Sequence, residues 1–164
     1  MDLRALQRPL KQKYRADPAT ALLTLRATAS EQDTPLACSV DIGRAVYQAQ
    51  AHAGAGGPGT APCSGDLLLG ALAACAQVTC QMVATAMEVP LRSVHVTAEG
   101  DLDLRGTLGI DPETPVGFTA VRLKFALDAP DATPEQLSSL LEKTERYCVV
   151  LQTLTRPPEV SVAV

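Results

Sequence analysis

The stretch Ser64–Met87, SGDLLLGALAACAQVTCQMVATAM, decides how the rest of the chain is read. It is apolar or small on nearly every side of a helical wheel. The helix it predicts has no polar face to give to water and must be covered all round by other elements. Its small residues let a neighbouring backbone come close. Ser64 is placed to cap it, Asp66 suits the positive end of the helix dipole, and Pro90 ends it. Near the middle, Cys75 stands among Ala71, Ala73, Ala74 and Ala76. A thiol there is either inert filling or a shielded reagent, and residue type alone favours filling. The dipole of its own helix cannot lower the pKa of a mid-helix thiol. Activation would need an Arg, a Lys or a carboxylate network from elsewhere in the fold.

Working outward, Val94, Val96 and Ala98 alternate with His95, Thr97 and Glu99, and Leu102 and Leu104 follow beyond Gly100. Val121, Leu123, Phe125 and Leu127 alternate with Arg122, Lys124 and Ala126. Both stretches read as half-buried antiparallel strands. Thr133-Pro-Glu-Gln136 is a helix start with a cap, a first-turn proline and a capping box. On that helix Leu137, Leu140, Leu141, Thr144 and Cys148 share the inward face. Pro157-Pro158 ends the region, and Val160, Val162 and Val164 predict a closing strand.

On the N-terminal side, Ala21–Ala29 and Leu36–Ile42 predict a hairpin about the turn cluster SEQDTP. Val46–His52 is ambiguous between strand and helix, and GAGGPGT (Gly54–Thr60) is a flexible entry to the central helix. Residues 1–19 form an arm with Leu3, Leu6 and Leu10 near helical spacing, interrupted by Pro9. Together with the core, residues 20–164, it makes a single domain over residues 1–164.

Hydrophobic residues make up 46% of the 164, enough for a sizeable core. Aromatics are only 3%, so Leu, Val and Ala must fill it. The net charge of −4, with no Lys/Arg run, argues against nucleic acid or an anionic membrane as partner. No signal-peptide pattern opens the chain, and the apolar run Leu67–Ala76 is too short to span a bilayer, so a cytoplasmic protein is expected. Five cysteines, Cys38, Cys63, Cys75, Cys80 and Cys148, fit reduced thiols with at most one redox pair. His52 and His95 lie far apart and there is no CxxC, so no metal site is expected. The glycine loop lacks the Lys-Ser/Thr of a phosphate loop.

The chain resembles the OsmC/Ohr family, the osmotically inducible and organic hydroperoxide resistance proteins, from about Ala21 to the C-terminus. Four features in order carry the resemblance: the glycine loop, the helix SGDLLLGALAACAQVT with Cys75, the strand segment PVGFTAVRLKFAL, and a helix bearing TERYCVVLQTL with Cys148. The resemblance implies an α+β fold with curved antiparallel sheets wrapped around central cysteine-bearing helices, in an intertwined homodimer. It also implies thiol-dependent reduction of organic hydroperoxides without metal or flavin. Cys75 would be the peroxidatic cysteine and Cys148 the resolving one, with a dithiol reductant, lipoyl-type in the relatives that prefer organic peroxides. Leu68, Leu72, Val78 and Met82 would line the site.

The family pattern departs in four places. The glutamate ten residues before the first cysteine is Gly65 here, which makes Asp66, the neighbouring acid, the candidate substitute and the third catalytic residue that the resemblance implies. No arginine stands in the first hairpin turn, which leaves Arg26, Arg44 and Arg122 as stand-ins. The proline after the second cysteine is Val149. Cys63 is an additional thiol and a second candidate for the resolving role. Two other functions fit the same residues: a non-catalytic module binding an apolar small molecule, and a thiol redox sensor.

Overall fold

The computed structural model describes residues 3–17, 22, 24, 28–31, 37–41 and 46–164. Its elements are helices α1 (Leu3–Ala16), α2 (Ser64–Met87), α3 (Leu104–Thr107), α4 (Pro134–Tyr147) and α5 (Val149–Thr155). The strands are β1 (Thr28–Glu31), β2 (Ala37–Asp41), β3 (Val46–Gln50), β4 (Ser93–Asp101) and β5 (Ala120–Asp128). They divide into two compact units, residues 1–67 with 102–119, and residues 68–101 with 120–164.

In the first unit β1, β2 and β3 form an antiparallel sheet in that order, with Ala29 opposite Val40 and Val40 opposite Tyr47. The expected hairpin is present, but its first strand begins only at Thr28: Leu22 and Thr24 are in no strand, and the remaining positions of 20–27 lie outside the described residues. The ambiguous stretch after it is strand β3, which pairs along its whole length with β2. The glycine loop is more ordered in shape than its composition suggests. It opens with a 3₁₀ turn at Ala53–Ala55, followed by Gly56 at φ 88° in the left-handed region. The Gln50 side chain holds the loop by accepting from the amides of Thr60 and Ala61, both at 3.2 Å.

The second unit holds the larger core. β4 and β5 pair antiparallel, and the register sets Val94 opposite Leu127, Val96 opposite Phe125 and Ala98 opposite Leu123. These pairs share the inward face, as alternation demands, and pack with one stripe of α2: Leu72, Ala76, Cys80 and Ala84, four residues apart. Leu140, Thr144 and Cys148 complete the core from the other helices, all fully buried. The buried Thr144 hydroxyl is satisfied by donating to the Leu140 carbonyl at 2.7 Å. On the outer face Arg122 is held by Asp101 at 2.7 Å and by Glu99, and Lys124 by Glu99 at 2.9 Å.

The helix α4 begins as its sequence dictates. Thr133 is extended, Pro134 follows, and Thr133 and Gln136 make both bonds of the capping box. Three other expectations are corrected. Strand β4 ends at Asp101, so Leu102 and Leu104 lie beyond it, with Leu104 in the short helix α3 that the Asp103 side chain caps. The segment Val160–Val164 is not a strand: Val160 and Val162 are 79% and 93% exposed, and no described strand pairs with the segment. Alternating valines favour extension, but a strand requires a neighbour for its backbone groups. The helix expected to carry Cys148 is broken there: the residue is extended, with φ −72° and ψ 106°, so it closes α4 and opens α5.

By length and composition α2 could cross a membrane, yet its buried stripe belongs to the core of the second unit. Beyond it, Glu88 sits at φ 58°, a left-handed position at the helix end, and the amide of Val89 returns to the Ala84 carbonyl at 3.0 Å. Replacing Glu88 by Gly relieves that conformation and is expected to raise stability by about 1 kcal/mol. Leu140→Ala is expected to cost roughly 2–5 kcal/mol. Urea unfolding of both variants checks the two signs.

Candidate active site

The break at Cys148 has a chemical consequence. The first amides of any helix have no carbonyl partner within it, and no side chain caps α5. Two of those amides, on Val149 and Val150, lie near the sulfur of Cys75 and favour its thiolate. The Cys148 thiol and the Thr79 hydroxyl, one turn beyond Cys75 on α2, complete its donors. The last turn of α4 is tied down at the same place, where Gln152 Nε2 donates to the Glu145 carbonyl at 2.8 Å.

This environment drives the two thiols apart. Burial pushes the half-buried Cys75 thiol up, but the Val150 amide, the Cys148 thiol, Thr79 and the Val149 amide together outweigh it. Its pKa falls below the ordinary thiol value. Cys148, with no exposed surface, moves the other way: burial raises it, and so does the neighbouring Cys75 sulfur. Both are free thiols within hydrogen-bonding reach of each other, although 73 residues separate them in sequence. Cys80 is a different case. It is fully buried against Thr144, and burial raises its pKa.

The structure thus joins Cys75 and Cys148. Asp66, by contrast, shapes the start of α2. Its Oδ2 accepts from the Cys63 amide at 2.9 Å, and the Leu67 amide bonds to the Cys63 carbonyl. Cys63, not Ser64, is therefore the N-cap of α2, and Asp66 closes the first turn as the third residue of a capping box does. That bond, with a second from the Cys63 thiol, lowers the Asp66 pKa. Arg122 is committed to Asp101 and Glu99, and the side chains of Arg26 and Arg44 lie outside the described residues. Among the described residues the groups that lower the Cys75 pKa are all neutral, the amides of a second helix first among them. Of the apolar lining, Leu72 is buried in the core, while Leu68, Val78 and Met82 are open to solvent in the single chain.

Among the described residues no three His, Cys, Asp or Glu side chains converge as metal ligands. The residues from the glycine loop to the C-terminal tail, 57–163, match the family model of OsmC-like proteins. The chain belongs to the OsmC-like protein family. Solved OsmC-like structures share the fold. The OsmC-like protein of Mycoplasma pneumoniae superposes with a TM-score of 0.68 at 16% identity, covering 82% of this chain and 89% of that one. An organic hydroperoxide resistance protein from Elizabethkingia anophelis, with thiocyanate bound, gives 0.61 at 22% identity over 83% and 90%. An organic hydroperoxide resistance protein OsmC from Legionella pneumophila gives 0.61 at 20% identity over 82% and 91%. No curated protein matches the chain.

Sequence reasoning missed Thr79 and the two amides. The spacing of four residues from Cys75 to Thr79 was a usable signal, since such pairs are neighbours on a helix. Two measurements test the assignments. Timed iodoacetamide labelling at neutral pH, followed by mass spectrometry, should modify Cys75 well before the buried Cys80 and Cys148. Asp66→Ala should cost about 1 kcal/mol of stability and leave Cys75 labelling unchanged. Because folding lowers the Asp66 pKa, its contribution is complete at neutral pH and fades as pH falls below about 4.

Proposed function

We propose that this OsmC-like chain is a cysteine-based peroxidase that reduces organic hydroperoxides. The observation that carries the reading is the pairing of a half-buried thiol of lowered pKa with a buried thiol of raised pKa, in contact across two helices. The thiolate is the nucleophile in thiol chemistry, and Cys75 has the access and the donors for it. Its sulfur attacks the terminal peroxide oxygen, the O–O bond breaks, and the alkoxide leaves with a proton as the alcohol. Cys75 is then a sulfenic acid. The Cys148 sulfur attacks that sulfenic sulfur, water departs, and a Cys75–Cys148 disulfide results. A dithiol reductant supplies two electrons and two protons to restore both thiols and is itself oxidised to a disulfide. The peroxide-resistance names of two structural relatives point the same way.

The working form in this reading is a homodimer. Ala71, Ala74, Val78 and Met82 make an exposed apolar stripe on α2, with Val78 54% exposed, although the helix has no polar side. A second copy would cover that stripe, and its sheets would give Val160–Val164 a neighbour.

Under a dithiol, cumene hydroperoxide should be consumed catalytically by the wild type. Cys75→Ser should slow this roughly a thousandfold or more. Cys148→Ser should allow one turnover and accumulate a sulfenic acid trappable by dimedone. Peroxide consumption unchanged by Cys75→Ser would overturn the reading, as would a protein that takes up apolar compounds but leaves peroxide intact.

A further inference from the structure

The α4–α5 break also carries a cleft that the thiol chemistry does not use. Two adjoining cavities of about 570 and 460 Å³ share Arg146, Gln152 and Arg156 in their walls. Glu142 and Glu145 line the first, while Tyr147, Val149 and Pro158 line the second. One end is therefore polar and the other largely apolar. The Arg146 guanidinium lies over the Tyr147 ring, 5.6 Å from its centre. Among the described residues neither Arg146 nor Arg156 is in an ion pair, although two carboxylates line the same wall.

We propose that this cleft binds the carboxylate of a small aliphatic acid, with Arg146 and Arg156 on the head and the Tyr147 end around the chain. A guanidinium offers a planar fork that matches a carboxylate, and among the described residues neither of these two is in an ion pair. The site goes beyond the peroxidase reading and does not depend on it. The two meet only at Val149, which lines the cleft and turns its amide toward Cys75.

Calorimetric titration of the reduced full-length chain with octanoate, octan-1-ol and acetate tests this. Octanoate should bind at least about tenfold more tightly than the alcohol, which lacks the charge, and than acetate, which lacks the chain. The Arg146→Ala/Arg156→Ala variant should weaken octanoate by about tenfold or more while its unfolding midpoint and Cys75 labelling stay as in the wild type. Equal binding of octanol and octanoate would overturn the proposal, and that comparison needs no variant. No saturable octanoate binding in the low millimolar range, or full binding by the double variant, would overturn it equally.

Discussion

The lowered pKa of Cys75 rests on two amides at the start of a seven-residue helix, α5, close to its sulfur. A half-buried thiol on an apolar helix would ordinarily be harder to ionise than one in water. The break at Cys148 reverses that. It stops α4, leaves the next helix without a side-chain cap, and brings N–H groups that have no carbonyl partner within that helix near Cys75. Because the same residue that makes the break also carries the second thiol, donor and partner arrive together. Among the described residues the groups that favour the Cys75 thiolate are neutral dipoles. Neutral donors have a further physical advantage in a buried place, since they carry no charge whose desolvation must be offset.

The other constraint is α2. With no polar face, the helix can bury only one stripe within its own chain, and Leu72, Ala76, Cys80 and Ala84 do so against β4, β5 and α4. The opposite stripe stays open, and so does the valine-rich tail. A helix that is small and apolar on all sides needs covering on every side.

Much of the fold was legible because its signals were local. Thr133, Pro134 and Gln136 specify a helix start by themselves, and the alternation in Val94–Ala98 and Val121–Leu127 fixes both the strands and the face they bury. The ends of elements were less legible. Ser64 looked like the cap of α2, but the hydrogen bond from the Cys63 amide to Asp66 moves the cap one residue back. Val160–Val164 has strand chemistry without a partner strand. The cysteine pair came from the resemblance, since spacing along two helices cannot bring residues 73 apart together. The break at Cys148 was invisible: no Gly or Pro marks it, and the side chains around it suit a continuous helix.

Val149 offers the most direct test, because it stands at the first position of α5 after a residue whose extended backbone already suits a following proline. Val149→Pro removes one amide hydrogen from the Cys75 environment and should disturb the helix little. The measurement is the pH dependence of Cys75 carboxymethylation in wild type and variant, read residue by residue by mass spectrometry. If backbone amides hold the thiolate, the midpoint for Cys75 moves to higher pH in the variant. A midpoint that stays in place or moves lower would contradict the account.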